Sequence, residues 1–281
     1  MDTDASSSSA RFDGIDRLYG RGSAARLSRA HVGVVGLGGV GSWAAEALAR
    51  SGVGRLTLVD ADEVCVSNVN RQSHALDGNF GRAKVEVLAE RLRLIHPGIE
   101  VAPVVQFLTP SNLPELAGGG GFDLLLDACD AFRVKVETAA WCRRHRQPLV
   151  VVGSAGGRTD PTQVRVRDLS RTEHDAMLAL VRRKLRTEFG FPRNRERYFG
   201  IPAVYSLENV RYPQPDGSVC GIRPPGDAAQ GFRLACGGGL GAAMHVTAAF
   251  AMAAVATTLE RLLRLEQPSG RLASPEMGQE V

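Results

Sequence analysis

From His31 to Asp60 the chain reads HVGVVGLGGVGSWAAEALARSGVGRLTLVD, a strand, a glycine turn, a helix and a second strand in succession. His31–Val35 is a short valine-rich run of the kind that forms a strand buried on both faces. It stops at GLGGVG, where Gly36, Gly38 and Gly41 satisfy the spacing GxGxxG and Gly39 adds another glycine. A helical pattern from Ser42 to Arg50 closes at Gly52, and Arg55–Val59 forms the next strand, ending in Asp60. Glycines let the backbone turn tightly and approach a ligand, while the unpaired N–H groups opening the next helix favour phosphate oxygens. Asp60, at the tip of its strand, is placed to bond ribose hydroxyls. These features predict a nucleotide site, and they fit less well with glycines that serve only turn and packing. Which nucleotide is left open, and by the glycine loop alone a nicotinamide dehydrogenase is the default reading.

Outward from this unit the alternation continues. Val85, Leu88, Leu92 and Ile95 recur at helical spacing before Pro97, and Ile99–Val104 reads as a strand. Phe122–Asp127 and Pro148–Gly153 read as further strands around a helix over Arg133–Arg146, and Ile15–Ala30 has helical character. The fold class expected is α/β, a Rossmann-like, doubly wound and mostly parallel sheet, with residues 31–153 as its nucleotide-binding core. Residues 154–266 read as an extension of the same domain. It holds an exposed strand over Gln163–Arg167, an amphipathic helix over Asp175–Glu188, an irregular Pro192–Pro202, short strands over Glu208–Tyr212 and Ser218–Ile222, and a long apolar helix. Residues 1–10 and 267–281 read as disordered tails around a single domain over 11–266.

The hydrophobic fraction of 44% over 281 residues suffices for a sizeable core. A net charge of +4 and pI near 9.0 suit a polyanionic partner without requiring one. Five cysteines, an odd number with no CxxC pair, argue against a disulfide framework and against zinc, and fit a reducing cytoplasm. The start, MDTDASSSSA, resembles neither a secretory signal nor a transit peptide. Leu240–Leu259 lacks Asp, Glu, Lys and Arg and is long enough to cross a bilayer, but its Ala, Gly, Thr and His245 content favours a helix buried at an interface over membrane association.

Downstream residues separate the nucleotides. Asn68, Arg71 and Gln72 in SNVNRQ, Lys84 in GRAKVE and Asp130 in LLLDACDA fall on loops directed to the same carboxyl edge of the sheet. A dinucleotide pyrophosphate does not need two cations and a further carboxylate. A triphosphate does: Arg71 and Lys84 can hold the β and γ oxygens, and Asp130 can hold Mg²⁺ as pyrophosphate departs. Taken singly, each of these residues reads better as a solvated charge or a helix cap. Their joint occurrence reverses that judgement.

GLGGVG, Asp60, NVNRQ, Lys84 and DACDA together resemble the superfamily of ThiF, MoeB and the ubiquitin-activating enzymes, over roughly Arg17 to Gly153. RFDGIDRLYG, DEVCVSNVNRQSHAL, SAGGRTDPTQVRVRDLSRT, YPQPDGSVC and LACGGGLGAAMHVTA are more specifically similar to the tRNA threonylcarbamoyladenosine dehydratases of that superfamily. The resemblance implies ATP-dependent cyclisation of N6-threonylcarbamoyladenosine at tRNA position 37 through an acyl-adenylate. It implies Asp130 as metal ligand, Arg71, Lys84, Gln72 and Asn68 about the nucleotide, and Asp60 on the ribose. It also implies a homodimer in which Arg17 reaches the partner's ATP, room for a Na⁺ or K⁺ ion, and docking of a cysteine desulfurase or SufE-like sulfur acceptor. Cys236 matches a cysteine common in the dehydratases, either catalytic or a buried thiol.

Arg182, Arg183, Lys184, Arg186, Arg193, Arg195 and Arg197 stand against only Glu188 and Glu196, with Phe189, Phe191 and Tyr198 interleaved. Alone, such a run reads as a solvated helix face. With the resemblance it reads as a contact for the anticodon loop, where arginines pair with phosphates and aromatics stack on bases. The rival readings are an adenylyltransferase for a ubiquitin-like sulfur carrier, an NAD-dependent oxidoreductase, and an RNA-binding scaffold with a vestigial nucleotide site.

Overall fold

Valines 32, 34 and 35 of the first strand are buried, alternating between two cores on opposite faces of one sheet. The same alternation runs through Leu124, Leu125 and Leu126 and through Val150, Val151 and Val152, which is why these runs lack polar positions. In the computed structural model, which describes residues 3–117, 121–194, 196–223 and 239–265, the strands are β1 (His31–Val35), β2 (Arg55–Val59), β3 (Glu100–Val104), β4 (Leu124–Asp127), β5 (Leu149–Val152), β6 (Val164–Asp168) and β7 (Pro202–Ser206). They form a sheet in the order β3-β2-β1-β4-β5-β7-β6, parallel throughout except that β6 runs antiparallel to β7. β8 (Tyr212–Pro213) and β9 (Val219–Cys220) make a separate short ribbon. The reversal of strand order at β1 and β4 creates the crevice in which doubly wound folds bind ligands.

One face of the sheet is covered by α3 (Gly41–Arg50), α4 (Lys84–Ile95) and α8 (Met244–Leu265). The other is covered by α6 (Phe132–His145) and α7 (Ala176–Glu188). The short α5 (Leu113–Ala117) precedes β4 in the chain. α8 passes the length and apolarity required of a membrane span, yet Val246, Phe250, Ala254, Val255 and Leu259 bury one side of it against α3 and the sheet. It is a core helix of this domain.

The structure departs from the sequence expectation in several places. α1 (Thr3–Tyr19) includes residues 3–10, assigned above to a disordered tail. The helix over Ile15–Ala30 is broken: Gly20 and Gly22 take positive φ of 98° and 88°, and α2 (Ser23–Leu27) follows. Asp16 closes that break, its carboxylate accepting from the backbone N–H of Gly22 at 3.1 Å and of Ala24 at 2.7 Å. These bonds hold its pKa below the usual carboxylate value.

The short strands expected over Glu208–Tyr212 and Ser218–Ile222 are present only as the two-residue β8 and β9, while β7 at Pro202–Ser206, starting at the last residue of the stretch read as irregular, was not expected. β7 is central, buried on both faces, and reads as a bare apolar run with no alternation. Two side chains, one half-buried and one buried, pin this region. Asp168 accepts from the backbone N–H groups of Phe199, Gly200 and Ile201 at 2.9, 2.7 and 3.1 Å. Arg158, 3% exposed, donates to the carbonyls of Ser154, Ser206, Glu208 and His174. Residues 154–265 therefore complete the sheet begun by residues 31–153. The expected tail at 267–281 lies outside the described residues.

Candidate functional site

The carboxyl ends of β1, β2, β4 and β5 open into a cleft lined by Gly36, Gly38, Gly39, Asp60, Arg71, Gln72, Lys84 and Asp130. Eight of the residues expected from sequence to serve the nucleotide thus meet in one place. Each glycine has its own task there. Gly36 turns with φ +80°, and a Cβ on it would lie 2.7 Å from the Cys129 backbone. A Cβ on Gly41 would lie 1.8 Å from the Gly36 carbonyl oxygen, so Gly41 serves to seat α3 against β1 and does not line the cleft. A Cβ on Gly39 would press on Thr247 of α8 at 3.0 Å. On Gly38 it would meet nothing within 4 Å: this glycine leaves open space toward the cleft.

Asp60 holds the turn as well as facing the cleft. Its Oδ2 accepts from the Leu37 N–H at 2.6 Å and its Oδ1 from the Asp62 N–H at 2.8 Å, leaving lone pairs on both oxygens for a ligand. Burial pushes its pKa up, with the Lys84 charge pulling the other way. Lys84, 6% exposed at the start of α4, donates from Nζ to Asp62 Oδ2 at 2.8 Å. Arg71 donates from Nη1 to the Ser67 carbonyl at 2.6 Å and to Asn70 Oδ1 at 2.9 Å, while its own carbonyl accepts from Trp43 Nε1 at 2.9 Å. Asn68 does not line the cleft. It shapes the turn that presents Arg71 and Gln72, accepting at Oδ1 from the Cys65 N–H at 3.1 Å and at its carbonyl from the N–H groups of Arg71 and Gln72.

Two polar atoms at this cleft are buried without a protein partner, Nε of Arg71 and Oε1 of Gln72. Unpaired buried polar atoms cost about 1–3 kcal/mol each, and they cluster where a ligand completes the bonding. With two cations, an exposed carboxylate at Asp130 and the open space beside Gly38, the cleft suits a polyphosphate. Among the described residues no group of three or more His, Cys, Asp or Glu side chains assembles a metal cage. The donor set therefore suits an ion held by one carboxylate and by phosphate oxygens, which is how Mg²⁺ usually sits.

Asp130 rides on a loop whose foundation sequence reasoning missed. Lys135 and Asp127, both fully buried, pair at 2.8 Å, and Lys135 Nζ also donates to the Asp127 carbonyl at 3.1 Å. Asp127 Oδ1 accepts from the Cys129 N–H at 3.1 Å. The Asp127 charge keeps the Lys135 pKa raised despite burial, and burial pushes the Cys129 thiol up. Asp62, Phe107, Met177 and Thr247 also line the cleft unannounced. Only Asp62 had a sequence signal, two positions beyond Asp60; Thr247 arrives from the other end of the chain.

Arg17 is exposed on α1 and does not line the cleft of its own chain. In the basic segment, Arg183, Arg193 and Arg197 are exposed. Arg182 bonds Thr172, Lys184 pairs with Glu188, and Arg186 donates to the Pro192 carbonyl at 3.2 Å. Phe191 is 2% exposed and belongs to the core, which corrects its reading as a base-stacking ring; Phe189 and Tyr198 are exposed. Arg195 and Cys236 lie outside the described residues.

The sequence pattern of the ThiF family matches residues 14–276. The tRNA threonylcarbamoyladenosine dehydratase of Escherichia coli (strain K12) is 46% identical over 253 residues, covering 90% of this chain and 93% of that protein. The enzyme of the same name from Haemophilus influenzae is 42% identical over 254 residues, with 90% and 94% covered. The crystal structure of the E. coli tRNA N6-threonylcarbamoyladenosine dehydratase TcdA in complex with ATP matches with a TM-score of 0.79 at 42% identity, over 92% of this chain and 95% of that one. A cleft built for a polyphosphate at the switch point of this sheet, and likeness over nearly the whole length, give one result: the chain belongs to the ThiF family, among its tRNA threonylcarbamoyladenosine dehydratases.

Proposed function

We propose that the protein uses ATP to dehydrate N6-threonylcarbamoyladenosine at position 37 of tRNA, closing the threonylcarbamoyl group into its cyclic form. The observation that carries this reading is the meeting of Asp60, Arg71, Lys84 and Asp130 around the glycine turn. The threonyl carboxylate attacks the α-phosphorus of ATP, forming a P–O bond as the bond to pyrophosphate breaks. A carbamoyl nitrogen then attacks the activated carbonyl carbon and gives its proton to solvent; AMP leaves carrying the carboxylate oxygen. Loss of one water from the nucleoside is thereby balanced by cleavage of ATP to AMP and pyrophosphate. Because the nucleophile is tethered to the acyl group, ring closure is intramolecular and needs no protein nucleophile.

The residues act by holding and by charge. Asp60 accepts the ribose hydroxyls, and the N–H groups opening α3 face the phosphates beside Gly38. Arg71 and Lys84 hold the β and γ oxygens, with Lys84 exchanging Asp62 for phosphate. Gln72 and Arg71 satisfy their orphaned atoms on the nucleotide. Asp130 would hold Mg²⁺, and the ion would supply positive charge where pyrophosphate departs; a Na⁺ or K⁺ ion is a further expected ligand. The catalytic unit in this reading is a homodimer, Arg17 reaching the partner's ATP, and it works in the cytoplasm among tRNAs. Arg183, Arg193 and Arg197 meet the tRNA, and a sulfur-trafficking acceptor is a further expected partner.

The test is incubation with Mg-ATP and modified tRNA, followed by digestion and mass measurement of the nucleosides. A nucleoside lighter by one water, with AMP formed in equal amount, is the expected result. AMP formed only when a ubiquitin-like carrier protein is supplied would overturn the tRNA reading and leave the adenylation chemistry standing.

A further inference from the structure

At the edge of the sheet opposite the nucleotide cleft lies a basic concavity, where β5 and β7 begin and α6 and α8 end. Arg143, Arg146, Arg261 and Arg264 line it, and among the described residues no carboxylate does. α8 spans the distance between the two sites: Thr247 lines one and Arg264 the other, which at 1.5 Å per residue sets them about 25 Å apart.

Arg143 and Arg261 are held in place from below. Arg143 lies over the buried Phe191 ring at 4.2 Å, Phe191 meets Phe199 edge-on at 4.8 Å, and Arg186 lies over Phe199 at 5.2 Å. Arg261 donates to the Gly200 carbonyl at 3.4 Å. Arg146 closes α6 in the left-handed region at φ 56°, a conformation an arginine adopts only where its surroundings impose it. Arg264 has Glu260 at 3.5 Å. Arg143, fixed on its ring, loses little freedom on binding, and each of the four planar guanidiniums can match phosphate oxygens two at a time. The phenylalanine pair also ties the floor of this concavity, where Phe199 lies, to Phe191 at the start of the segment that carries Arg193 and Arg197.

We infer that this concavity is a second tRNA contact, taking backbone phosphodiester groups of the substrate at a distance from the nucleotide being modified. The ligand's identity rests on the dehydratase reading; the site rests on its four arginines. A folded RNA that places one loop nucleotide at the ATP cleft has length enough to run along α8 and lay its backbone here. Anchoring by phosphates gives position and affinity without reading sequence, so the target is chosen at the cleft.

The experiment measures binding of an unmodified, full-length tRNA transcript without ATP, across a range of salt, to the wild type and to the double variant Arg146→Gln with Arg264→Gln. These two arginines are exposed and outside the core. Expected is roughly tenfold weaker binding, with the slope of log K against log salt less negative by about 2, and unchanged affinity for Mg-ATP. The control is Arg55→Gln with Arg93→Gln, at the far side of the sheet, which should leave the slope near that of the wild type. An unchanged slope in the first variant, or an equal change in the control, overturns the site. A wild type that binds the transcript through this concavity yet dehydrates no modified tRNA would instead overturn the proposed activity and leave the contact intact.

Discussion

Gly38 and Gly41 stand three positions apart in one motif and answer to different demands. Alanine at Gly38 meets nothing in the free protein, so stability should stay within about 0.5 kcal/mol of the wild type. The methyl group would, however, occupy the space beside the phosphates, and ATP affinity should fall by tenfold or more in a calorimetric titration. Alanine at Gly41 would strike the Gly36 carbonyl, and a loss of about 2 kcal/mol or more is expected in denaturant melts before any ligand is added. Asp130→Asn removes charge and almost no volume: turnover should drop about a hundredfold or more while the melting curve is unchanged. Near-wild-type turnover would take the metal away from Asp130.

His74 gives a pH signature. It is fully buried, neither ring nitrogen has a partner, and burial with the Lys84 and Arg91 charges lowers its pKa from 6.5 to about 4. Between those values the unfolded chain binds a proton that the folded one refuses. Stability is therefore complete above about 6.5 and falls with pH down to about 4, by on the order of 3 kcal/mol. His74→Leu should flatten that part of the stability–pH curve; a curve of unchanged shape would mean that other groups govern it.

Among the elements, the loop between β4 and α6 depends on a charge pair buried beneath it. Lys135→Met would leave Asp127 as an uncompensated buried charge, costing about 3–5 kcal/mol. The same pair explains what was legible in the sequence. GLGGVG, Asp60, NVNRQ and Asp130 were readable because spacing along the chain fixes where each falls on a strand tip or helix start. Lys135 looked like one more charge on a helical stretch, since burial of a lysine is decided by what packs over it. β7 escaped for a related reason: with both faces covered it carries no alternation, unlike the exposed ribbon of β8 and β9. Phe191 was read as a stacking ring because its arginine neighbours were visible and its core partner Phe199 was not.

At the scale of the molecule, the nucleotide site is assembled from both ends of the chain. Asn70 Nδ2 donates to the Ala242 carbonyl at 2.7 Å and the Met244 N–H to the Asn70 carbonyl at 3.1 Å, tying the start of α8 to the motif that carries Arg71. Ligand binding should thus stabilise the whole domain. At a hundredfold excess over its Kd, Mg-ATP contributes about 2.7 kcal/mol, or a rise in Tm of roughly 5–10 °C. NAD⁺ at the same concentration should give no shift; a larger shift with NAD⁺ would favour the oxidoreductase reading.

The pairing of Lys84 with Asp62 has one more effect. Asp62 engages one of the three hydrogens on Nζ, which leaves the others to a guest and aims the ammonium before any guest arrives. The carboxylate is a tether: it fixes a four-carbon stem that would otherwise sweep many rotamers, so little freedom is left to lose when the guest lands.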